Sequence, residues 1–332
     1  MLRVLYLVLI ATEVLTSDYT LLNADYYNLD QAGEIFDQFL IKYNKKYEDR
    51  ITATKRFETF KENLKKINEW NKEGDTTIHG VNEFTDMTFD EFSKCYLGFN
   101  GKLVSKDAVK YEPSGIEAPA SMDWRSYGYV TEVKSQQSCG SCFAFSAIGN
   151  IEGQYAKAHG ARAFSLSNQQ AFDCSSAANC ETGGLPHEVF QALTTQGGSM
   201  REQDYPYEAV KGQCRTDRSK IAVKVTGGQQ LGVAGEDGLK DAVASYGPLS
   251  IAICADAELQ TLRGGQVYKP KQPCNTANHA VLLVGYGNEG GADFWLIKNS
   301  WGYSFGDQGY FRLIRGQMAL AVGSYVATST VG

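Results

Sequence analysis

Two closely spaced cysteines are the residues best suited to chemistry in this sequence. Cys139 and Cys142 lie in the stretch Gln-Gln-Ser-Cys-Gly-Ser-Cys-Phe, separated by two residues. Such a pair occurs in thioredoxin-type redox sites, in half of a zinc site, or where a disulfide cysteine stands beside a nucleophile. A zinc site needs a second close pair of ligands and a redox site needs a short βαβ unit, and the sequence shows neither. The pattern therefore favours a nucleophile beside a disulfide cysteine.

A histidine and an asparagine far along the chain support this interpretation. His279 lies 137 positions after Cys142, and Asn299 lies 157 positions after it. A cysteine nucleophile needs a base to take its proton, and that base needs a group that orients it. A lone histidine is more often structural, and we interpret the remaining ones in that way: His79, His159 and His187.

The segments around these residues resemble the three active-site blocks of papain-like cysteine peptidases. They read QQSCGSCFAFS (136–146), NHAVLLVGYG (278–287) and KNSWG (298–302). The upstream segment resembles the prosegment of cathepsin L-like enzymes. Its ERFNIN-type helix motif is matched at all but the first position, where Thr52 replaces Glu: Arg56, Phe60, Asn63, Ile67 and Asn71. Its GNFD motif is matched in full: Gly80, Asn82, Phe84 and Asp86.

The resemblance implies a role for each residue of the site. Cys142 would be the nucleophile, its pKa lowered by a helix N-terminus and an adjacent imidazolium, and His279 would carry the proton. The side-chain oxygen of Asn299 would accept a hydrogen bond from the histidine ring and hold its orientation. Trp301 would cover that hydrogen bond. Gln136 would donate to the oxyanion together with the backbone N–H of Cys142.

Substrate binding is implied on both sides of a cleft. The backbone of the Gly183–Gly184 pair would bind the substrate backbone, and four apolar residues would line the pocket for the second residue before the scissile bond: Leu185, Pro186, Ala252 and Ala277. No Asp or Glu occurs in residues 316–332, where the family's pocket floor comes from, so we expect an apolar preference. Phe143 and Phe305 stand where the family usually has Trp, and these departures leave the catalytic positions untouched.

Two disulfides are implied by the resemblance, Cys139–Cys180 and Cys174–Cys214. Cys95 should depart with the prosegment and Cys142 must stay reduced, which leaves Cys254 and Cys274 unassigned. Parity favours a Cys254–Cys274 bridge. The alternative is two buried free thiols too far apart to join.

The composition restricts the class of protein. The chain has 332 residues, 43% of them hydrophobic, with 32 Lys and Arg against 38 Asp and Glu. It is too apolar for disorder, and a net charge of −6 argues against nucleic acid or an anionic membrane as partner. Residues 1–17 are typical of a secretory signal, with Arg3 before a short apolar run that is too short to span a bilayer.

The elements that must position the site follow from hydrophobic periodicity. Helical spacing predicts two amphipathic helices within 30–73 and a third from about Ser141 to Ala158. Four short β-branched or aromatic runs predict strands: 249–254, 279–287, 293–299 and 309–316. Helices first and strands later imply an α+β chain, and the resemblance implies the papain-like two-lobed fold, with a helical lobe, a β-barrel-like lobe and a cleft between them. The domains would be a prosegment (18–117) and a mature domain (118–332), helical mainly over 118–228 and sheet-rich mainly over 229–332.

The sequence thus predicts a cysteine endopeptidase made as an inactive zymogen. We expect polypeptide substrates, the chain's own prosegment as an intramolecular inhibitor, cystatin-type inhibitors as partners, a monomer, and no metal or organic cofactor. The expected location is the secretory pathway, leading outside the cell or to a lysosome. The competing hypothesis is a catalytically impaired homologue that acts as a binding protein, but every catalytic position is filled.

Overall fold

The computed structural model describes residues 19–72, 78–101, 108–175 and 178–332. The predicted signal sequence, residues 1–17, lies outside these ranges. Within them, no helix is both long enough and apolar enough to cross a membrane. The fold is α+β, as predicted from the order of helical and strand patterns.

Eight helices and thirteen strands occur in the described ranges. The helices are α1 (Ala32–Lys42), α2 (Arg50–Lys72), α3 (Phe89–Tyr96), α4 (Cys142–His159), α5 (Asn168–Cys174), α6 (Pro186–Gln196), α7 (Gly235–Tyr246) and α8 (Ala257–Gln260). The strands are β1 (Ile78–His79), β2 (Val109–Lys110), β3 (Met122–Asp123), β4 (Ser199–Met200), β5 (Ile221–Val223), β6 (Val225–Gly232), β7 (Leu249–Ile253), β8 (Leu262–Arg263), β9 (Val267–Tyr268), β10 (His279–Glu289), β11 (Ala292–Lys298), β12 (Tyr310–Ile314) and β13 (Val326–Val331).

The prosegment builds its own small core around α1 and α2, the two helices expected from the sequence. Because the apolar residues of each helix recur at helical spacing, they lie on one face, and the two faces pack against each other away from water. The buried members of this cluster are Leu22, Tyr27, Ala32, Ile35, Phe36, Phe39, Phe60, Leu64, Ile67 and Val81.

The rest of the prosegment docks on the sheet-rich lobe. β1 pairs antiparallel with β8. α3 begins with a capping box, in which Thr88 Oγ1 accepts from the N–H of Glu91 and the Glu91 carboxylate accepts from the N–H of Thr88. Since a capping box satisfies N–H groups that a helix leaves unpaired, it fixes where α3 starts. α3 then leads the chain to the cleft.

The long helix α4 is the centre of the helical lobe. It is buried along most of its length and ends at Gly160, whose φ of 59° forms a left-handed cap. A Cβ on Gly153 would lie 2.7 Å from the ring of Pro248. Glycine at this position therefore lets the helix pack closely against the chain that leads into β7.

One mixed sheet carries most of the second lobe. Its strand order is β2-β6-β13-β7-β10-β11-β12-β9, and β3 pairs with β10. The four predicted strands correspond to β7, β10, β11 and β12. β3, from the start of the mature region, joins the sheet, and β13, at the end of the chain, lies between β6 and β7 and contacts α4. The two lobes therefore meet where α4 packs against β10 and β13.

Three disulfides are present, and they pair the six cysteines as expected. They are Cys139–Cys180, Cys174–Cys214 and Cys254–Cys274. The Cα atoms of the third pair lie 5.6 Å apart, within reach of a bridge, so the alternative of two distant thiols does not apply. The two remaining cysteines, Cys95 and Cys142, are free.

Candidate active site

Cys142 lies at the first position of α4 and is completely buried. Its Sγ atom accepts hydrogen bonds from two backbone N–H groups, that of Gly98 at 3.3 Å and that of Ala280 at 3.4 Å. The first donor belongs to the prosegment and the second to β10. The helix N-terminus and these two donors give the sulfur a positive surrounding potential.

His279 begins β10 and is held by Asn299, which directly follows β11. The Asn299 Oδ1 atom lies 2.8 Å from His279 Nε2 and accepts a second hydrogen bond of 2.8 Å from the N–H of Ser300. Because that oxygen only accepts, Nε2 carries the hydrogen in this pair. The other ring nitrogen, Nδ1, is buried and has no hydrogen-bond partner among the described residues. In the neutral ring Nδ1 is therefore the atom that can receive a proton.

Trp301 covers the histidine, as the resemblance implies. The two rings are nearly parallel with centroids 4.7 Å apart, and the indole is fully buried. Phe305 packs edge-on against Trp301 at 4.8 Å. From the prosegment, Phe84 and Phe92 complete the aromatic cover, with ring centroids 6.0 Å and 4.9 Å from that of Trp301.

Gln136 is buried beside the cysteine, with its amide turned towards the prosegment. Its Nε2 atom donates to the carbonyl of Cys139 at 2.8 Å and to the carbonyl of Tyr96 at 2.9 Å. Its Oε1 atom accepts from Ser300 Oγ at 2.7 Å, which fixes the orientation of the amide. The Tyr96 carbonyl of the prosegment therefore accepts a hydrogen bond from the amide that is expected to bind the oxyanion.

The prosegment crosses the cleft next to Gly184, where Phe99 and Gly184 form an isolated parallel bridge. The Gly184 N–H donates to the carbonyl of Gly98 at 2.9 Å, and the N–H of Asn100 donates to the carbonyl of Gly184 at 3.3 Å. A Cβ on Gly183 would lie 2.0 Å from the Gly98 carbonyl oxygen, so only glycine allows this approach. The backbone expected to bind substrate is thus paired with the chain's own residues.

The side chain of Phe99 fills the predicted apolar pocket. It is 7% exposed and belongs to the same buried cluster as Leu185 and Ala252, with Ala277 packed against that cluster. Pro186, the fourth predicted residue, is buried at the first position of α6. The pocket therefore brings Leu185, Ala252 and Ala277 together around Phe99.

Tyr325 is a pocket residue that the sequence reasoning missed. Its ring meets Phe99 edge-on at 4.9 Å, and its hydroxyl lies 2.9 Å from His187 Nδ1 and 3.1 Å from the His187 N–H. Burial raises the pKa of Tyr325 and lowers that of His187, so both groups stay uncharged near neutral pH. The signal for this residue in the sequence is the single tyrosine within residues 316–332.

The protonation state of the site differs from the predicted thiolate–imidazolium pair. Burial raises the pKa of the Cys142 thiol to about 11, and the N–H groups of Ala280 and Gly98 oppose that rise only in part. Burial also lowers the pKa of His279 to about 4, against the hydrogen bond to Asn299. With the prosegment excluding water, both groups are therefore neutral at neutral pH. Within the described residues, no group of three or more His, Cys, Asp or Glu could hold a metal ion.

Comparison with protein-family models gives two matches that together cover most of the chain. Residues 118–330 match the papain family cysteine protease model. Residues 36–92 match the cathepsin propeptide inhibitor domain. The two matches flank the linker that joins the prosegment to the peptidase region.

Curated proteins and solved structures that are similar to most of this chain are also cathepsins or their proenzymes. A viral cathepsin of Adoxophyes honmai nucleopolyhedrovirus is 38% identical over 317 residues, covering 91% of this chain and 92% of the relative. A cathepsin L-like proteinase of Fasciola hepatica is 40% identical over 297 residues, covering 86% and 90%. The digestive procathepsin L2 proteinase of Tenebrio molitor larval midgut superposes with a TM-score of 0.83 at 34% identity, covering 90% of this chain and 99% of that one.

Proposed function

The chain belongs to the papain family of cysteine proteases, and from that premise we propose that Cys142 is its nucleophile and His279 its proton carrier. The protein is a cysteine endopeptidase made as a proenzyme with a cathepsin-type propeptide. The observation that carries the proposed roles is the hydrogen bond from the N–H of Ala280, the residue after His279, to the Sγ atom of Cys142. On either side of it lie the His279–Asn299 pair and the Gln136 amide, which donates to the carbonyl of Cys139.

The proposed reaction proceeds through a thioester. After the prosegment leaves, the thiol proton passes to His279 Nδ1 and the sulfur attacks the peptide carbonyl. The oxyanion is stabilised by Gln136 Nε2 and the N–H of Cys142, in the place where the Tyr96 carbonyl sits in the proenzyme. His279 then protonates the departing amine. Water, deprotonated by the same imidazole, hydrolyses the thioester and restores the thiol.

The propeptide is an intramolecular inhibitor, and the contacts in the cleft support a specific way of inhibiting. We propose that it occupies three functional positions at once: the oxyanion donor, the sulfur, and the substrate-binding backbone at Gly184. The proposed domains are a signal sequence (1–17), a prosegment (18–117) and a mature domain (118–332). The residues from Gly115 to Glu117 are exposed, which suits cleavage at the end of the prosegment.

The proposed location is the secretory pathway, ending outside the cell or in an acidic compartment such as the lysosome. The predicted signal at 1–17 and the three disulfides support an oxidising route. We further propose that the mature enzyme is a monomer and that cystatin-type inhibitors bind its cleft.

The proposed function is tested by chemical labelling of the acid-matured protein. An epoxide or vinyl-sulfone probe should form one thioether, and peptide mapping should locate it at Cys142. A probe attached to another cysteine, or no labelling of a matured chain, would contradict the assignment.

Substrate preference should be for an apolar residue at the second position before the scissile bond. The pocket that holds Phe99 offers aliphatic side chains and the neutral Tyr325 hydroxyl, and no Asp or Glu is among the described residues that line it. A buried guanidinium would therefore lack a carboxylate in that lining. In a peptide library varied at that position, we expect kcat/KM for Leu or Phe to exceed that for Arg by about 10-fold or more. A library that favours Arg would disprove this preference.

Maturation should be faster in acid, because charged contacts hold the prosegment in place, and Asp86 makes two of these contacts. Its carboxylate is buried, with one oxygen 3.1 Å from Lys45 Nζ and the other 2.9 Å from the Tyr47 hydroxyl. Nearby, the pKa of Glu91 is lowered. Partial burial of Glu91 acts to raise its pKa, but hydrogen bonding from the Thr88 N–H and the charge of the Arg56 guanidinium outweigh that effect. A carboxylate with a lowered pKa stabilises the fold above its ordinary pKa, and that stability is lost as pH falls through the lowered value.

Protonation of the carboxylates around Asp86 does not change the stability of the prosegment in one direction only. Burial raises the pKa of Glu83. Protonation of Glu83 therefore removes the free-energy cost of burying its charge, whereas protonation of a paired carboxylate removes a stabilising contact. We expect the paired carboxylates to dominate, and maturation to be faster at about pH 4.5 than at about pH 7. Asp86→Asn should shift the onset of processing to higher pH, whereas Asp90→Asn, at an exposed position nearby, should not. Electrophoresis of timed samples measures this, and equal profiles for all three proteins would exclude Asp86.

A further inference from the structure

The linker that joins the prosegment to the peptidase region is docked away from the cleft. Its strand β2 lies parallel to β6 at the edge of the large sheet, with Val109 opposite Leu231 and Lys110 opposite Gly232. The N–H of Tyr111 continues the ladder and donates to the carbonyl of Gly232 at 3.1 Å. In the sheet, β6 is separated by β13 and β7 from β10, which carries His279.

The tyrosine of this linker fills a pocket of its own. Tyr111 is 7% exposed, and its ring centroid lies 5.9 Å from that of Tyr246 on α7. It shares a buried cluster with Leu239 and Val243 of the same helix. At the end of the pocket its hydroxyl donates to the carboxylate of Asp241. Burial and this carboxylate raise the pKa of Tyr111 to about 12, so the hydroxyl keeps its proton.

The same carboxylate holds a second part of the linker. Asp241 Oδ2 accepts from the N–H of Ser114 at 2.9 Å, and Oδ1 accepts from the Ser114 hydroxyl at 2.8 Å. After Ser114 the chain is exposed up to Pro119, whose carbonyl accepts from the Tyr286 hydroxyl at 2.9 Å. The linker is thus anchored on both sides of the exposed stretch where maturation is proposed.

Every group that receives the linker belongs to the peptidase region and remains there once the prosegment has gone. We infer that the mature enzyme has a second peptide-binding site, formed by the edge of β6, the apolar pocket of α7 and the carboxylate of Asp241. This inference rests on the proposed function, because maturation must empty the site. The ligand is an extended segment of a polypeptide substrate that adds a strand to β6 and places a tyrosine in the pocket. A hydroxyl residue three positions after the tyrosine adds the second contact to Asp241.

The docking itself is tested in the full-length proenzyme, where no activity is needed. In a Cys142→Ala background, Asp241→Asn should raise the hydrogen-exchange rate of the Tyr111 amide by about 10-fold or more. Asp237→Asn is the matched control, because it removes an exposed carboxylate one turn earlier on α7, whereas the Tyr111 hydroxyl and the Ser114 N–H both donate to Asp241. Equal exchange in the two variants would overturn the role of Asp241.

Ligand binding is tested on the acid-matured enzyme after an epoxide probe has blocked Cys142. A fluorescent peptide of residues 108–116 should bind, as measured by anisotropy, and its Tyr111→Phe form should bind about 10- to 100-fold more weakly. Asp241→Asn should weaken the first peptide similarly, while Asp237→Asn should not.

Absence of binding at about 1 mM, or equal binding of the two peptides, would overturn the inference. With a short fluorogenic substrate, kcat/KM of Asp241→Asn should equal that of the unchanged enzyme. A chain that neither matures nor takes the probe would instead contradict the proposed function, and the exchange experiment would then decide the inference alone.

Discussion

Replacement of Cys142 by alanine should abolish hydrolysis of peptide bonds, with a loss of about 10⁴-fold or more in kcat/KM. The reason is that six of the other cysteines are paired in disulfides and the seventh, Cys95, lies on α3 of the prosegment. No other thiol is therefore placed to form the thioester. The rate is measured with a fluorogenic peptide after an unrelated aspartic protease has removed the prosegment at acid pH, since the variant cannot process itself.

Three further variants separate the chemical roles from general damage. Cys95→Ala is the matched control, since it removes a free thiol outside the mature domain and should leave the rate unchanged. His279→Ala should cost nearly as much as Cys142→Ala, because the two side chains act as one unit. Asn299→Ala should cost less, on the order of 10²-fold, because Asn299 orients the ring without exchanging a proton. A Cys142→Ala enzyme that still cleaves peptides, with an epoxide on another thiol, would disprove the assignment.

The protonation state of the proenzyme gives this chemistry a structural switch. The thiol is neutral because the prosegment excludes water from both Cys142 and His279. Departure of the prosegment restores solvent to the imidazole while the N-terminus of α4 stays where it is. The ion pair expected from the resemblance is thus proposed for the mature enzyme, and the neutral pair describes the proenzyme.

Much of this architecture could be predicted because its signals are local. Helical spacing located α1, α2 and α4, and short apolar runs located β7 and β10 to β12. The sequence blocks located the cysteine, histidine and asparagine, since a motif preserves the local backbone that presents each side chain. The bridge between Cys254 and Cys274 followed from parity, whereas the distance that allows it came only from the fold.

Features that depend on distant contacts could not be predicted in this way. Tyr325 reaches the pocket because β13 inserts between β6 and β7, and no local pattern indicates that insertion. Asp241 looks like an ordinary charge on the surface of α7 until the linker is placed over it. A single acidic residue in the apolar helix α4, Glu152, is the strongest case, because its partners come from three other segments.

Glu152 is the centre of a buried polar cluster directly behind the active site. It is 3% exposed, and its carboxylate accepts from Thr131 Oγ1 at 2.6 Å and from the N–H of Leu166 at 2.8 Å. Lys134 Nζ lies 3.6 Å away. Lys298, next to the catalytic Asn299, donates to Thr131 Oγ1 at 3.0 Å. The cluster therefore ties α4 of the helical lobe to the end of β11.

Replacement of Glu152 by alanine should lower the free energy of unfolding by about 3–5 kcal/mol. The change removes the carboxylate while leaving Lys298 buried. It also leaves the Leu166 N–H and the Thr131 hydroxyl without their hydrogen-bond acceptor. Glu152→Gln keeps the shape and an acceptor oxygen, so its loss should be smaller. Urea unfolding of the Cys142→Ala proenzyme with each change measures these values without self-digestion. A loss below about 1 kcal/mol for alanine would contradict a central role for this carboxylate.

The dependence of that loss on pH distinguishes a missing charge from a missing contact. Burial lowers the pKa of Lys298 to about 8, and the Glu152 carboxylate opposes this shift, so its removal should lower the pKa further. A lysine whose pKa is lowered by folding destabilises the protein fully below its folded pKa, and this cost shrinks as pH rises from that value towards the ordinary pKa of lysine. Above about pH 8 the ammonium is neutral with or without Glu152. The difference in unfolding free energy between Glu152→Ala and the unchanged chain should therefore be largest near pH 6 and smaller at about pH 9. An equal difference at both pH values would mean that only packing and hydrogen bonds were lost.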